Sequence, residues 1–301
     1  GVHLGLAVEA RVTLADADYP GPLLELPDPP TLLYVRGSRS LLGKISATGT
    51  SSAIAVVGSR NATGQGEANA RAFAGALAEA GFCIVSGLAL GIDAAAHRGA
   101  LAATGDTIAV IGTGADRLYP ARNRDLAMEI AARGAIISEF PLGTPAAAAN
   151  FPRRNRLISG LSQGVLVVEA AVESGSLITA RLAGDQGREV FAIPGSIHSP
   201  QSRGCHRLIR QGAKLVETAA DILEELSPHP RGACHKATAH RDTSSGESGD
   251  AARVLGCAGY DPVTIDELAA RSGLTADTLS VILLQLELDG HIATLPGGRY
   301  Q

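Results

Sequence analysis

The chain has 301 residues, a hydrophobic fraction of 45% and a formal net charge of −4. This length allows one large or two modest domains with a buried core. No apolar run approaches the roughly 20 residues that span a bilayer, and no signal peptide is visible, so we expect a cytoplasmic protein without membrane segments. Met128 is the only methionine, so a chain beginning at Gly1 is expected to be a fragment or a processed product.

Metal binding and disulfide scaffolds are disfavoured by the cysteines. The four cysteines lie far apart and never form a C-x-x-C pair: Cys83, Cys205, Cys234 and Cys257. This spacing suits neither a zinc site nor a disulfide framework, and a reducing compartment is the simplest interpretation. We therefore expect no metal and no cofactor.

In chain order, residues 1–52 come first; they are rich in proline and irregular, with one strand candidate at Leu32–Val35. We interpret them as an N-terminal extension that packs on the core. From residue 53 onward, short β-branched runs alternate with helical patterns. This alternation predicts a doubly wound, Rossmann-like parallel sheet over residues 53–226, an α/β fold. The predicted strands are Ala53–Val57, Phe82–Val85, Thr107–Ile111, Ala135–Ser138, Gly164–Glu169 and Glu189–Ile193.

The C-terminal part has a different pattern. Residues 227–250 lack periodicity and are predicted to be a flexible linker. In residues 251–301, Thr264 and Glu267 form a capping box at the start of a short helix. Gly273 ends that helix, a second helix follows over Thr275–Leu288, and a small hairpin closes the chain. This order of elements predicts a small winged-helix domain.

Ligands of open α/β sheets bind outside the carboxyl ends of the strands, so the loops there are the candidate site. The first strand is followed by Gly58, Ser59, Arg60 and Asn61. Glycines allow close backbone approach, and an arginine beside a helix N-terminus favours an anion. The loop is neither a P-loop nor a G-x-G-x-x-G fingerprint, which argues against ATP and NAD.

Two further glycine loops follow the next strands. One contains Gly87 and leads to Asp93 and His97, which lie one helical turn apart. Such a pair is one arrangement for acid–base catalysis, but no nucleophile is evident nearby. We therefore favour a structural interpretation in which Asp93 caps or braces a helix and His97 pairs with it. The other loop contains Gly112 and Gly114.

The segment from 151 to 180 carries the strongest chemical signal. We interpret its start as a loop with one aromatic and three arginines, followed by a buried strand and then by a helix N-terminus rich in hydroxyls. This pattern predicts a grip for a polyanion, with phosphates on arginines and amides and a base stacked on the aromatic ring. It contains no convincing nucleophile and base, so we do not expect an enzyme. The residues are Phe151, Arg153, Arg154, Asn155, Arg156, Ser174, Gly175, Ser176 and Thr179.

Several motifs in order along the chain resemble the DNA-processing protein A family (DprA, also called Smf). The resemblance covers roughly residues 19–226, and the module at 251–301 resembles the winged-helix domain that many members carry. The motifs include GSR at 58–60, SGLALGID at 86–93, TIAVIGTGADRLYPARN at 107–123, FPRRNRLISGLS at 151–162, SGSLITA at 174–180 and REVFAIPG at 188–195.

The resemblance implies a protein that binds single-stranded DNA, forms a homodimer and loads the recombinase RecA during natural transformation. It also implies protection of incoming strands and cooperation with single-strand-binding protein. The family's DNA pocket maps here to Arg60, Phe151, Asn155 and Arg156, and its dimer and RecA contacts map loosely to residues 205–226. Some members carry a lysine before the F-x-x-R-N-R motif, where this chain has alanines.

Two other functions are compatible with parts of the sequence. One is a nucleotide-type small-molecule hydrolase or sensor on a related Rossmann fold, although the P-G-G-x-G-T-x-x-E motif of such hydrolases is absent. The other is a duplex reader in the winged helix. The predicted recognition helix, Thr275–Leu288, contains no lysine or arginine and includes Asp277 and Glu287. Because groove readers need cations, we hypothesise a protein-contact or regulatory module instead.

Overall fold

The computed structural model describes residues 2–3, 10–45, 52–103, 105–226, 254, 263–288, 292, 294–295 and 299–300. The chain divides into two compact units, residues 1–229 and residues 230–301. None of the described helices is long and apolar enough to cross a membrane. The predicted linker at 227–250 lies outside the described residues.

The first unit is built on a nine-stranded sheet. In chain order the strands of this unit are β1 Val2–His3, β2 Ala10–Thr13, β3 Leu32–Gly37, β4 Ala53–Val57, β5 Cys83–Ser86, β6 Thr107–Val110, β7 Arg117–Leu118, β8 Ala135–Ser138, β9 Gly164–Val167, β10 Glu189–Ala192 and β11 Lys214–Leu215. The spatial order of the nine-stranded sheet is β11-β10-β9-β4-β5-β6-β8-β3-β2; all neighbours from β11 to β8 are parallel, and β3 and β2 are antiparallel. Two short strands, β1 and β7, pair separately.

Helices fill the intervals between the strands and cover the sheet. The central strands β4, β5, β6, β8 and β9 are buried along their whole length, as expected for parallel strands covered on both faces. The predicted doubly wound fold is confirmed. The helices are α1 Arg39–Lys44, α2 Gly64–Glu79, α3 Ile92–Ala102, α4 Arg124–Arg133, α5 Asn150–Gly160, α6 Ser176–Asp185, α7 Arg203–Arg210 and α8 Ala219–Leu226, with 3-10 turns at Gly21–Glu25 and Ala121–Asn123.

The proline-rich start of the chain takes part in the sheet. Strands β2 and β3 extend it at the β8 edge, and Val12, Leu33 and Val35 are fully buried in the same core cluster as strand β4. The boundary predicted at residue 53 therefore falls inside one compact unit. Strand β2 has only four residues, Ala10–Thr13, and so short a run leaves little periodic signal.

The connection order creates one crevice in the sheet. From β4 the chain moves through β5 and β6 to β8 on one side, and it then crosses to β9 and β10 on the other side. Strand β4 thus lies next to both β5 and β9, and the loops that follow β4 and β9 diverge above it. Such a switch point is where open α/β sheets bind ligands.

The second unit has the predicted helix–helix–hairpin order. Helix α9 (Ile265–Ser272) begins with a complete capping box between Thr264 and Glu267 and ends at Gly273, whose φ is 69°. Helix α10 (Ala276–Leu288) follows, and strands β12 Val263–Thr264, β14 Arg299–Tyr300 and β13 Thr294–Leu295 form a small antiparallel sheet. Its core includes Val254, Leu268, Leu279 and Leu283.

Candidate functional site

A cavity of about 710 Å³ opens at the switch point of the sheet. Its walls come from the loop after β4, the loop after β9 and the first turns of α5 and α6. We call it the switch-point cavity. The predicted site residues that line it are Gly58, Ser59, Arg60, Asn61, Phe151, Arg154, Asn155, Ser174, Gly175, Ser176 and Thr179. Five predicted residues do not line it: Gly87, Gly112, Gly114, Arg153 and Arg156.

The arginine-rich segment is helix α5, where the sequence indicated a loop. Pro152 falls in the first turn, where proline is tolerated because that N–H has no helical partner. The helix runs back toward the amino end of β9, so its N-terminus and the N-terminus of α6 lie at the same sheet edge. The two halves of the predicted grip therefore meet in one cavity and do not occupy opposite ends of β9.

Helical periodicity divides the side chains of α5 into two groups. Phe151, Arg154 and Asn155 face the cavity, at spacings of three and four residues. Arg153 and Arg156 point elsewhere, toward Glu139. The predicted cluster of three arginines at one site is thus divided, because each residue turns about 100° around the helix axis.

Arg154 forms the floor of the cavity. Its side chain is almost fully buried, and Nη1 donates a hydrogen bond to the carbonyl oxygen of Val110 at the end of β6. Burial lowers the pKa of Arg154 to about 10, and nearby Asp93 opposes the shift, so the guanidinium stays charged at neutral pH. Gly87 makes room for it, since a Cβ there would lie 2.2 Å from Nη1.

Asp93 and His97 have separate partners. The Asp93 carboxylate accepts hydrogen bonds from the backbone N–H groups of Gly87 and Ala89, at 3.1 and 3.3 Å, so it braces the loop before α3 and does not cap the helix. Burial raises the pKa of Asp93, and Arg154 opposes that effect. His97 does not pair with Asp93. Its Nδ1 lies 2.7 Å from Oγ1 of Thr107, which projects from β6 against α3.

Arg156 is held in an ion pair away from the cavity. Its side chain is 15% exposed and contacts the carboxylate of Glu139, with Asp28 at 3.7 Å. Burial raises the pKa of Glu139, and Arg156 and Arg153 oppose that shift. Arg153 lies over the ring of Phe140 and is 3.5 Å from Glu139. Both arginines thus pair with Glu139, and neither lines the cavity.

The rim of the cavity carries a cation next to two aromatic rings. The guanidinium carbon of Arg60 lies 5.5 Å from the centre of the Phe151 ring, and the Tyr119 and Phe151 rings are 5.5 Å apart and tilted by 42°. Tyr119 is 45% exposed. Sequence reasoning did not place Tyr119 in the site. In a chain with 3% aromatic residues, its position beside the glycine loop was the available signal.

Glycines of the 112–114 loop serve packing around this rim. A Cβ at Gly112 would lie 3.0 Å from the ring of Phe151, so its absence lets the ring settle against the loop. A Cβ at Gly114 would lie 2.6 Å from the carbonyl oxygen of Pro141. Gly112 thus acts on the site through Phe151, and Gly114 through the fold of its own loop.

Two helix N-termini point at the cavity. Neither N-cap residue, Ala149 of α5 or Gly175 of α6, has a side-chain acceptor. The first-turn N–H groups of α6 donate locally, to the Ser174 hydroxyl and to the carbonyl oxygens of Ser174 and Gly175. Ser174 and Ser176 are joined by a 2.7 Å hydrogen bond between their hydroxyl oxygens. Amides at a helix start attract anions. The described lining carries two positive side chains, Arg60 and Arg154, and two negative ones, Asp93 and Glu173. The affinity of the cavity for an anion therefore depends on which of these charges lies nearest to the bound group.

The fold and this site define a doubly wound α/β protein with a polar, aromatic-rimmed cavity at its switch point, followed by a winged-helix unit. The family DNA recombination-mediator protein A matches residues 10–227, and the DprA winged helix domain matches residues 238–298. The chain belongs to the DprA/Smf family of DNA-processing proteins. Within the described residues, no group of three or more His, Cys, Asp or Glu side chains is placed to hold a metal ion.

Three relatives illustrate the similarity. Protein Smf of Escherichia coli is 45% identical over 292 residues, which cover 94% of this chain and 75% of Smf. The X-ray structure of DprA from Streptococcus pneumoniae matches with a TM-score of 0.68 at 44% identity, over 73% of this chain and 75% of that one. A DprA structure from Helicobacter pylori, reported for its single-stranded DNA binding mode, matches with a TM-score of 0.66 at 30% identity, over 75% of this chain and 98% of that one.

Proposed function

We propose that this protein binds single-stranded DNA in the switch-point cavity and acts as a binding protein, not as an enzyme. The observation that carries the proposal is the cluster of Arg60, Phe151 and Tyr119 at the rim, above the N-termini of α5 and α6. The single-stranded DNA binding mode described for the Helicobacter pylori relative supports it.

The chemistry of the cavity suits an unpaired strand. Phosphates would contact the guanidinium of Arg60 and lie at the positive ends of the α5 and α6 helix dipoles. An unstacked base would pack on Phe151 or Tyr119, and such stacking contributes about 1–3 kcal/mol per base. Every base has a flat face, so this arrangement binds single strands with little sequence preference.

A binding role is also supported by Asp93 and His97, the acid and base near the cavity, because both side chains are already engaged within the fold. Asp93 is engaged by two backbone N–H groups, and His97 is fully buried against Thr107. A general base has to reach a substrate proton by a direct hydrogen bond or through one water. These two groups hold the loop and the helix in place.

The family resemblance extends the proposal to partners. We propose a homodimer that protects incoming DNA during natural transformation, cooperates with single-strand-binding protein, loads RecA and works in the cytoplasm. Its protein contacts would lie in residues 205–226. Within that range Cys205 is fully buried, whereas Leu215 on the edge strand β11 is 45% exposed and available for contact.

Arg60→Ala is the direct test of the cavity. We expect the variant to bind an oligothymidylate about tenfold more weakly and to lose about 0.7 from the slope of log affinity against log salt, as for one lost phosphate contact. Arg71→Ala, on the exposed face of α2 and outside the cavity, is the matched control. Affinity and salt slope equal to those of the control would remove the cavity from consideration.

Arg156→Ala separates the ion pair from DNA contact in the same titration. Because Arg156 pairs with the nearly buried Glu139, we expect a lower melting temperature and a near-normal affinity. The family resemblance maps Arg156 to the DNA pocket, and on that basis this variant would bind more weakly. Weak binding with unchanged melting would restore Arg156 as a DNA contact.

The small-molecule alternative needs its own test, because the cavity volume of about 710 Å³ lies in the range of small-ligand sites. Calorimetric titration with nucleoside monophosphates, set against the oligothymidylate, distinguishes the two classes. We expect measurable heat for the oligomer alone. Saturable binding of a monophosphate without oligomer binding would identify a nucleotide sensor or hydrolase.

A further inference from the structure

Glu169 follows strand β9 and reaches across to residues 58–63, which we call the Arg60 loop. Its backbone carbonyl oxygen accepts a hydrogen bond of 2.7 Å from the N–H of Ser59, near the start of that loop. Its carboxylate accepts hydrogen bonds from the N–H and the hydroxyl of Thr63, at 2.9 and 2.5 Å, at the end of the loop. A single residue therefore holds the Arg60 loop on both sides of Arg60.

The same carboxylate lies at the N-terminus of helix α2. Thr63 is the N-cap of this helix, and its hydroxyl oxygen accepts the N–H of Gly66 at 2.9 Å. A Cβ at Gly66 would lie 2.5 and 2.6 Å from the two carboxylate oxygens of Glu169, so the helix has a glycine where the carboxylate rests. Doubly wound folds often hold a ligand phosphate at the helix start after a strand, and the helix dipole favours any negative group there. Here Glu169 supplies that negative group from within the chain.

Glu169 holds the loop without entering the site. It does not line the switch-point cavity, and it forms no ion pair with any residue that the structure describes. The Arg60 side chain is exposed and lies over the Phe151 ring. Beside it, the carbonyl oxygen of Asn61 accepts a hydrogen bond of 3.2 Å from Nε2 of Gln201. The cation at the rim is thus free of a carboxylate partner, and it projects from a backbone that is fixed on both sides.

We propose that Glu169 is a positioning residue for DNA binding, which acts by holding Arg60 at the rim of the switch-point cavity. This inference rests on the proposed function and names the residue that prepares its main cation. The strand predicted from the sequence ended at Glu169, and no role was assigned to its side chain. An arginine on a fixed loop loses less freedom when it binds a phosphate than one on a loose loop, which raises affinity without any new contact.

The direction of the effect separates this role from simple electrostatics. A carboxylate near a DNA site repels phosphates, so its removal should strengthen binding if charge alone matters. If Glu169 positions Arg60, its removal weakens binding although a negative charge is lost. The two explanations therefore predict changes of opposite sign for one substitution.

The test measures the affinity of the full chain for an oligothymidylate by fluorescence anisotropy. Glu169→Ala removes both side-chain hydrogen bonds to the loop. Glu79→Ala is the matched control, because it removes the same charge from an exposed position on α2. Glu169→Ala is also combined with Arg60→Ala, so that the coupling between the two side chains is measured as a double-mutant cycle.

We expect Glu169→Ala to bind about fivefold more weakly than the wild type, which corresponds to the cost of ordering one long side chain. Glu79→Ala should bind no more weakly than the wild type. In the Arg60→Ala background, Glu169→Ala should cause no further loss, because the side chain that it positions is absent. Affinity of Glu169→Ala equal to or above that of the wild type, or the same loss in both backgrounds, would overturn the positioning role.

Gly66→Ala reaches the same carboxylate from the helix. The new Cβ meets only the end of the flexible Glu169 side chain, so the variant is expected to fold and to displace the carboxylate. Gly64→Ala, in the same turn of α2, has nothing within 4 Å of its new Cβ and is the matched control. We expect weaker binding for Gly66→Ala than for Gly64→Ala, and this pair decides the matter if Glu169→Ala does not fold. Equal affinities of the two glycine variants would contradict the proposal.

The proposed function fails in a different way. In that case the wild-type chain binds no oligothymidylate, or Arg60→Ala binds as tightly as the wild type. The positioning role fails alone when Arg60→Ala is weak and Glu169→Ala is not.

Discussion

The arginines around the candidate site show how burial decides what one residue type does. Arg60 is exposed and lies beside an aromatic ring, so its charge is available to a ligand. Arg154 is buried and bound to a strand carbonyl, so it supports the cavity floor. Arg156 is neutralised by Glu139. The three side chains have the same chemistry, and their roles follow from neighbours that are distant in sequence.

His97 couples stability to pH at the residue scale. It is fully buried, and burial lowers its pKa to about 3, from about 6.5 in the unfolded chain. Below pH 6.5 the His97 ring binds a proton in the unfolded chain but stays neutral in the folded protein. The stabilisation is therefore complete above pH 6.5 and is lost as the pH falls toward 3, at up to about 1.4 kcal/mol per pH unit.

Urea denaturation between pH 7.5 and 5, followed by circular dichroism, measures that slope. His97→Gln is expected to flatten it, because glutamine does not titrate. His198→Gln, at an exposed position, should keep the wild-type slope. Identical slopes for wild type and His97→Gln would show that another group carries the pH dependence.

At the scale of elements, the cavity depends on how closely α2 and α3 approach. These helices begin just after the loops that hold Arg60 and Gly87. A Cβ at Gly99 of α3 would lie 2.2 Å from the carbonyl oxygen of Arg71 in α2. A Cβ at Gly75 of α2 would lie 3.6 Å from the carbonyl oxygen of Gly99, which is an ordinary van der Waals distance. The close crossing therefore depends on Gly99 and not on Gly75.

This pair gives a matched experiment on helix packing. Gly99→Ala should lower the free energy of unfolding by about 1–3 kcal/mol, since backbone on the facing helix has to move. Gly75→Ala should be neutral or stabilising by up to about 1 kcal/mol, because alanine is the better helix former. Urea denaturation of both variants tests the geometry, and equal stability of the two would contradict it.

Much of the element order could be predicted, because each central strand is a short β-branched run buried on both faces. The runs at 53–57 and 135–138 were placed to the residue. Helix α5 was missed because Phe-Pro-Arg-Arg-Asn-Arg has few apolar positions to show a period of 3.6. Strand β2 was missed because four residues among turns carry little pattern.

At the scale of the whole molecule, two compact units divide the chain, and residues 251–301 carry more acidic than basic side chains. Helix α10 contains no lysine or arginine, and Val281 on it is 70% exposed. Groove recognition of duplex DNA depends on cations, whereas an exposed apolar side chain suits a protein surface. We therefore propose that the winged-helix unit contacts protein and that the first unit binds DNA.

A chain ending at residue 229 tests this division of roles. We expect it to bind oligothymidylate like the full chain, and we expect the full chain to prefer a single strand over a duplex of the same length by at least about tenfold. A gel-shift competition measures both quantities. Nanomolar duplex binding at physiological salt that disappears on truncation would assign DNA reading to the winged helix.

The sequence by itself determined the alternating strands and helices, the capping box at Thr264, and which segments carry glycines, arginines and hydroxyls. These features are local, since propensity, periodicity and turn chemistry act over a few residues. Only the tertiary structure decided that β4 lies between β5 and β9, that Arg154 is buried and Arg156 paired, and that Tyr119 joins Phe151 and Arg60. Strand order and helix facing bring together residues as distant in the chain as Asn61 and Gln201, which are hydrogen-bonded across 140 positions, and local pattern carries no record of such contacts.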